Sequence, residues 1–144
     1  MIRSPQTDAE WQAYFKLRHD ILRAPWGQAI GSEQTPDEEL HQHFAFFDAQ
    51  HQIIGVGRLD RIAAQIAQVR FMAVAENQQG KGIGKAIMDE MESVSKAGKH
   101  LQIILHAREI ALPFYQKLGY QIDGPSHLLF GEVQHFLMHK TLVV

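Results

Sequence analysis

Cysteine is absent from the 144 residues of this chain. A disulfide, a thiolate metal site and a thiol nucleophile are therefore excluded. An excess of one charge is also missing, since 14 Lys and Arg stand against 16 Asp and Glu. This balance argues against a protein that binds nucleic acid or anionic lipid. No apolar run approaches the roughly 20 residues of a membrane helix, and the residues after Met1 lack the apolar stretch of a signal peptide. We therefore expect a cytoplasmic protein without nucleic-acid or membrane partners.

Apolar residues, in contrast, are plentiful. Hydrophobic residues make up 45% of the chain and charged residues 21%, which is typical of a folded globular protein. The sequence shows no internal repeat, no low-complexity tract and no linker long enough to separate two folding units. We expect a single domain over residues 1–144.

Hydrophobic periodicity predicts an alternation of helices and strands. A capping box from Thr7 to Glu10 begins a helix that Pro25 stops, and a loop runs from Pro25 to Glu39. Alternation from Ile66 to Val74 predicts a half-buried strand with Ala67, Val69, Phe71 and Ala73 on one face. The other predicted elements are strands 44–47, 53–59, 101–105, 120–123 and 133–142 and helices 82–96 and 110–118, with a turn at 123–125. This order predicts an α/β (α+β) fold in which a mixed sheet is covered by helices.

The strongest chemical signal is the junction between the strand that ends at Val74 and the helix that follows. Three alternating glycines, Gly80, Gly82 and Gly84, lead directly into that helix. Glycine allows a tight turn and close approach of a ligand to the backbone. A helix N-terminus presents unpaired N–H groups and a positive dipole end. The junction therefore predicts a binding site for a diphosphate, to which Lys81 or Lys85 could add charge.

Known phosphate-binding patterns discriminate between ligands for this junction. The nucleotide-hydrolase pattern Gly-x-x-x-x-Gly-Lys-Ser/Thr fails because Lys85 stands where its second glycine is needed, and the dinucleotide pattern Gly-x-Gly-x-x-Gly fails at Ile87. Residues 79–84, Gln-Gly-Lys-Gly-Ile-Gly, fit Gln/Arg-x-x-Gly-x-Gly/Ala instead. This segment resembles the acyl-CoA-binding loop of the GCN5-related N-acetyltransferase (GNAT) superfamily. Residues 111–120, Ala-Leu-Pro-Phe-Tyr-Gln-Lys-Leu-Gly-Tyr, resemble a second segment of that family.

The resemblance implies a mostly antiparallel, twisted GNAT-like sheet and an enzyme that acetylates a primary amine with acetyl-CoA. It implies that a bulge splays the central strands, that pantetheine lies along the preceding strand, and that the N–H of Met72 faces the thioester carbonyl. Tyr115 matches the family's usual general acid, which protonates the departing thiolate. Direct attack by the amine needs no enzyme nucleophile. The cofactor-binding residues implied are Met72, Ala73, Val74, Gln79, Gly80, Lys81, Gly82, Ile83, Gly84 and Lys85.

Two positions depart from the family pattern. Gln68 stands where some members carry a glutamate base, and Arg108 stands where an asparagine is frequent. A proton acceptor is therefore expected elsewhere, with Glu33, His106, Glu109 and His135 as candidates, or water carries the proton away. The missing glutamate also supports an alternative, a non-catalytic acyl-CoA-binding or regulatory module.

The acceptor side of the site is expected to vary between family members. Aromatic and imidazole side chains predict a pocket for a small amine, built from Trp26, His41, Phe44, Phe130 and His135. The nine histidines contain no His-Glu-x-x-His pattern, so we expect no metal site. Arg58, Arg61 and Arg70 are expected to be solvated or ion-paired rather than substrate clamps. Homodimers are common among similar proteins, so a homodimer is one expected assembly.

Overall fold

The computed structural model describes residues 1–142 and contains one seven-stranded sheet with three α-helices. The strand predicted over 66–74 ends at Val74 as expected, and the helices predicted after Thr7 and over 82–96 lie close to their predicted ranges. The elements are β1 (Ile2–Arg3), α1 (Asp8–Leu22), β2 (Gln42–Phe47), β3 (Ile53–Ala63), β4 (Ile66–Val74), α2 (Ile83–Ala97), β5 (Gln102–Arg108), α3 (Leu112–Lys117), β6 (Gln121–Leu129) and β7 (Val133–Thr141).

The sheet has the strand order β1-β2-β3-β4-β5-β7-β6. β4 and β5 are parallel, because α2 forms the crossover between them, and all other neighbours are antiparallel. The predicted mixed, mostly antiparallel sheet is therefore confirmed. Within the described residues, no helix is long and apolar enough to cross a membrane.

Helices cover both faces of the sheet and divide the core into two clusters. On one face, Tyr14 and Leu17 of α1 pack with Ala45, Phe47 and Val56. The helix begins as predicted, since the Thr7 hydroxyl accepts the N–H of Glu10 at 3.1 Å and the Glu10 carboxylate accepts the N–H of Gln6 at 2.8 Å. On the opposite face, the larger cluster joins α2 and α3 to the strands through Ile87, Met88, Met91, Ile103, Leu105, Tyr115 and Met138.

A bulge in β4 makes one prediction wrong. Ala67 and Val69 pack in the α2 cluster, whereas Ala73 packs in the α1 cluster. The reversal occurs at Phe71, whose φ is 54°, and the pairing with β3 shifts register there. One extra residue in a strand exchanges its two faces. Residues 67, 69, 71 and 73 therefore do not share a face, and Met72 packs against the α2 cluster instead.

The last hairpin also differs from its prediction. The Asp-Gly-Pro sequence at 123–125 lies inside β6 instead of forming a turn, and the chain reverses between Leu129 and Val133. β6 is an edge strand, where a proline without an N–H removes no ladder hydrogen bond, and two register shifts accommodate Gly124 and Pro125. The reversal uses positive φ at Phe130 (56°) and Gly131 (70°). This moves the turn next to the carboxyl end of β5.

Candidate active site

A cleft opens in the middle of the sheet where β4 and β5 separate. Their parallel pairing extends only from Ile66–Gln102 to Val69–Leu105, and β5 continues to Arg108 paired with β7 alone. The separation coincides with the β4 bulge. None of the strands in the described part of the chain therefore pairs with residues 70–74 of β4 on the side that faces β5.

Backbone polar groups of β4 point into this cleft. The N–H of Ala75 donates to the carbonyl of Ile54 on β3 at 2.9 Å. Because backbone groups alternate along a strand, the N–H groups of Met72 and Val74 face the opposite side, toward β5. The carbonyl of Val74 accepts a hydrogen bond from the Gln79 side chain at 3.1 Å. The strand thus presents ladder positions that an extended ligand could fill.

The glycine segment forms the turn that leads from β4 into α2. Gly80 and Gly82 have φ values of 80° and 84°, a region that L-residues with a Cβ rarely adopt. Gly82 is the N-cap of α2 without a side-chain capping bond, and the first helical hydrogen bond runs from the N–H of Ala86 to Gly82 at 3.0 Å. The N–H groups of residues 83–85 therefore precede the helical ladder and have no partner within the helix, which is the arrangement that can accept an anion.

Tyr115 lies on α3 at the inner wall of the cleft. Its side chain is buried and packs edge-on against Phe114 and Tyr120, with ring centroids at 4.9 and 5.9 Å. Pro113 sits in the first turn of α3, as predicted, where its missing N–H costs no hydrogen bond. Burial raises the pKa of Tyr115 to about 12, opposed in part by the Arg108 charge. The phenol is therefore a neutral proton donor at physiological pH.

The cleft widens into one cavity of about 800 Å³. Lys81 is outside the lining, and its ammonium contacts the Gln78 side chain at 3.3 Å. Lys85 is in the lining and pairs with Asp89 at 2.7 Å. The structure thus brings most of the sequence-predicted site residues to one cavity, namely Met72, Ala73, Val74, Gln79, Gly80, Gly82, Ile83, Gly84, Lys85 and Tyr115.

The predicted acceptor pocket is partly assembled. Trp26, Phe130 and His135 line the cavity. Phe44 does not, because it is buried in the core beneath α2. His41 also lies elsewhere, with its imidazole 3.0 Å from Asp37 and 3.4 Å from Asp60.

Only some of the candidates for a proton acceptor lie in the cavity lining. Glu33 and Glu109 lie outside the cavity lining, whereas His106 and His135 are part of it. His127, which the sequence analysis missed, stacks on His135 at 4.4 Å and lies 5.1 Å from His106. Burial lowers the pKa of His106 and His135, and the neighbouring imidazoles lower it further. Both are neutral at pH 7 and able to accept a proton.

A buried ion network lies behind the cavity; the sequence analysis expected Arg58 to be solvated or ion-paired but missed the rest of the network. Arg18 and Arg58 are fully buried and contact the two carboxylate oxygens of Glu38 at 2.7 and 3.1 Å. Arg58 also donates two hydrogen bonds of 2.8 Å to Asp60. This network joins α1 and β3 to the end of the loop that carries Trp26. The helical spacing of Arg18 with Trp11 and Phe15 was the one sequence signal that it faces inward.

Solved structures share this architecture. The crystal structure of an aminoglycoside 6'-N-acetyltransferase complexed with coenzyme A has a TM-score of 0.82 at 16% identity, covering 100% of this chain and 98% of its own. An acetyltransferase of the GNAT family from Staphylococcus aureus has a TM-score of 0.82 at 17% identity, covering 99% of each chain. The fold with its splayed strands is that of the acyl-CoA N-acyltransferases.

Sequence comparisons narrow this class to a family. A family model described as an acetyltransferase (GNAT) domain matches residues 16–142. YyaT, an uncharacterised protein of Bacillus subtilis strain 168, is 31% identical over 146 aligned positions, which cover 98% of this chain and 95% of YyaT. YjcF, an uncharacterised N-acetyltransferase of the same organism, is 27% identical over 115 positions, covering 78% and 81%. The chain belongs to the GNAT family of acetyltransferases.

Proposed function

We propose that this enzyme transfers the acetyl group of acetyl-CoA to a primary amine of a small substrate by direct attack in a ternary complex. One observation carries the proposal: a single cavity joins the free edge of β4, the N-terminus of α2 and the buried Tyr115 phenol. Acetyl-CoA has three parts that match these features, an extended amide arm, a diphosphate and a thiol leaving group. Because the reaction takes place where the acetyl-CoA donor is supplied, we place it in the cytoplasm.

The amide arm of the donor is assigned to β4 and the diphosphate to the turn. The N–H groups of Met72 and Val74 face the gap between β4 and β5, next to Ala73. Pantetheine can lie in this gap and form the hydrogen bonds of an added strand. The backbone from Gln79 to Lys85 surrounds the helix N-terminus, whose N–H groups and dipole favour a diphosphate. Lys81 is exposed at the same turn and adds charge.

Tyr115 is assigned the acid step. The amine nitrogen forms a bond to the carbonyl carbon while the carbon–sulfur bond breaks, and Tyr115 supplies the proton that the sulfur takes up. The N–H of Met72 stabilises the negative charge that develops on the carbonyl oxygen. The proton lost by the amine passes to His106, to His135 or to water, and solvent returns a proton to the Tyr115 phenolate, which leaves the N-acetyl product, free coenzyme A and the enzyme in its starting state.

The proposal is tested by incubating the chain with acetyl-CoA and a panel of primary amines while free thiol is measured. We expect amine-dependent release of coenzyme A and an N-acetylated product by mass spectrometry. Calorimetry with acetyl-CoA is run on the same sample. Binding without release for any amine would instead support the non-catalytic acyl-CoA-binding module.

The phenol acid predicts a particular pH dependence. Tyr115 acts while it is protonated, and burial raises its pKa from 10.0 to about 12. A raised pKa keeps the proton on the phenol through the range where an ordinary tyrosine loses it. We therefore expect the turnover number to hold as pH rises from 9 to 10.5 with a good acceptor. A decline with an apparent pKa near the ordinary tyrosine value, in protein shown to stay folded, would contradict the assignment.

The diphosphate assignment predicts a loss of donor binding in Gly82→Ala. A Cβ meets no atom within 4 Å at this position, but φ of 84° is strained for alanine, at a cost of about 1–2 kcal/mol. Relief of the strain moves the turn, and we expect the Kd of acetyl-CoA to rise about 10-fold. The matched control is Gly31→Ala, with φ of 100° and equally open space in the loop after α1. Equal Kd values in both variants would argue against the turn as the binding site.

A further inference from the structure

Charged side chains in the cavity wall all carry the same sign. Among residues 1–142, the lining includes Arg23, Arg70, Lys85 and Arg108 together with three histidines, and no aspartate or glutamate. Lys85 belongs to the α2 N-terminus, which the donor diphosphate accounts for. The three arginines lie instead around the loop after α1, the β4 bulge and the β6–β7 turn, on the side proposed for the acceptor.

These arginines form one continuous surface with aromatic rings, which we name the arginine–aromatic wall. It begins at the bulge, where the Arg70 guanidinium lies 4.8 Å from the ring centroid of Phe71 and the Arg23 guanidinium lies 5.7 Å from it. The members of the wall are Arg23, Trp26, Arg70, Phe71, Arg108 and Phe130.

The second half of the wall follows the β6–β7 turn. Arg23 is also 5.3 Å from the Phe130 ring, which lies 6.4 Å from the ring of Trp26. At the other end of the wall, the Arg108 guanidinium lies 5.6 Å from the ring centroid of Trp26. Each arginine of the wall therefore lies against at least one aromatic ring, and the rings hold each guanidinium in place.

Carboxylates neutralise this wall only in part. Arg23 donates to the backbone carbonyls of Leu22 and Ser32. Arg70 lies 3.9 Å from Asp60, whose two oxygens already accept from Arg58 at 2.8 Å. Within residues 1–142, no ion pair involves Arg108.

The pKa directions of the arginines agree with this geometry. Burial lowers the pKa of Arg23 and of Arg70, and repulsion by neighbouring arginines lowers both further, although Glu33 opposes the shift at Arg23 and Asp60 opposes it at Arg70. Arg58, by contrast, has a raised pKa because Asp60 and Glu38 outweigh its burial. Cations held close together with little counter-charge are stabilised by an anion that enters between them.

We propose that the arginine–aromatic wall binds an anionic group, a carboxylate or a phosphate, of the acceptor amine. This inference rests on the proposed function, since it names the substrate class of the same cavity. Guanidinium groups bind both anions through paired N–H donors. The aromatic rings pack against the organic part of the substrate. A polycationic acceptor is disfavoured, because the wall repels it and the lining offers no carboxylate to receive it.

Matched amines that differ in their anionic group test the proposal. Phenylalanine is compared with phenethylamine for a carboxylate, and O-phosphoethanolamine with ethanolamine for a phosphate. Spermidine represents the polycations. We expect at least one anionic member to exceed its neutral partner about 10- to 100-fold in kcat/KM, as charged hydrogen bonds allow. The two pairs also show which anion is preferred.

Substitutions in the arginine–aromatic wall test whether the wall causes the preference for an anionic amine. Arg70→Gln and Arg108→Gln are expected to raise KM for the preferred anionic amine about 10-fold. Both variants are expected to lower the ratio of kcat/KM for the anionic amine to kcat/KM for its neutral partner, and neither is expected to change the Kd of coenzyme A. Arg61→Gln is the control, since Arg61 is exposed on β3 and outside the cavity. A merely structural role would change all of these quantities together.

Calorimetric titration of each amine into the complex with coenzyme A separates this inference from the proposed function. If anionic amines bind, Arg70→Gln weakens them and no amine is acetylated, the acetylation proposal fails while the anion site stands. If neutral amines or spermidine bind and react as well as anionic ones, the anion site is overturned. It is also overturned if Arg70→Gln and Arg108→Gln weaken coenzyme A instead of the amine.

Discussion

Replacing Tyr115 by phenylalanine is expected to lower turnover about 10²- to 10⁴-fold, the range typical of a positioned general acid. The phenol is buried at the cavity wall and its pKa is raised to about 12, so it enters the reaction as a protonated acid. Without it, the thiolate leaves unprotonated or takes its proton from water. Donor binding should change little, because the proposed contacts of acetyl-CoA are backbone groups of β4 and the α2 turn. Single-turnover kinetics measures the chemical step directly.

Tyr120→Phe is the matched control for this variant. Tyr120 packs against Tyr115, and burial also raises its pKa, but its hydroxyl donates to Glu92 at 3.2 Å and it lies outside the cavity lining. This variant loses one buried hydrogen bond and some stability, with the chemical step intact. A Tyr115→Phe enzyme that matches wild type in single turnover would remove Tyr115 from the acid role.

Glu38→Gln is expected to lower the free energy of unfolding by about 3 kcal/mol, as removal of one partner from a buried ion pair typically does. The Glu38 carboxylate lies between the fully buried Arg18 and Arg58, which then face each other with Asp60 as the remaining anion. Urea denaturation monitored by tryptophan fluorescence gives the difference. Glu39→Gln is the control, because the adjacent Glu39 is exposed. Equal destabilisation by both variants would show that the network adds no stability.

The same carboxylate predicts how stability responds to acid. Burial opposes the shift, but the Thr35 N–H and the two arginines lower the pKa of Glu38 below its ordinary value of 4.5. The unfolded chain therefore binds this proton at a higher pH than the folded chain does. Stability from Glu38 is complete above about pH 5 and is lost as the pH falls through the lowered pKa. Wild type should lose stability more steeply in this range than Glu38→Gln, as denaturation at successive pH values will show.

Local sequence signals predicted the fold well because each acts within a few residues. The Thr7 cap, the period of α2 and Pro113 at the start of α3 all have the predicted places in the structure. Two predictions were wrong at positions where pairing with another strand determines the local structure. The family resemblance implied a bulge in this strand, but the local alternation did not, because the bulge at Phe71 depends on β3 and on the arginines around its ring. The conformation of residues 123–125 depends on β6 being an edge strand.

One part of the candidate site could be predicted from the sequence, and another part could not. Its glycine turn is one continuous segment, and the resemblance to the GNAT family, now confirmed by the family match, pointed to it. The acceptor side combines residues from distant segments, such as Trp26, Arg70 and His127, so no spacing in the sequence could bring them together. Arg70 is solvated and ion-paired as expected, with its side chain 40% exposed and 3.9 Å from Asp60, but that expectation did not place it in the cavity lining.

The central claim is that backbone amides at the N-terminus of α2 bind the diphosphate of acetyl-CoA. Calorimetric titration of the intact protein with acetyl-CoA and, separately, with S-acetylpantetheine, which lacks the diphosphate, tests it most directly. We predict a single saturable site for acetyl-CoA, with Kd on the order of 10 µM, and binding of S-acetylpantetheine at least about 100-fold weaker. Equal affinity for the two ligands, or no heat of binding with acetyl-CoA at millimolar concentration, would contradict the claim.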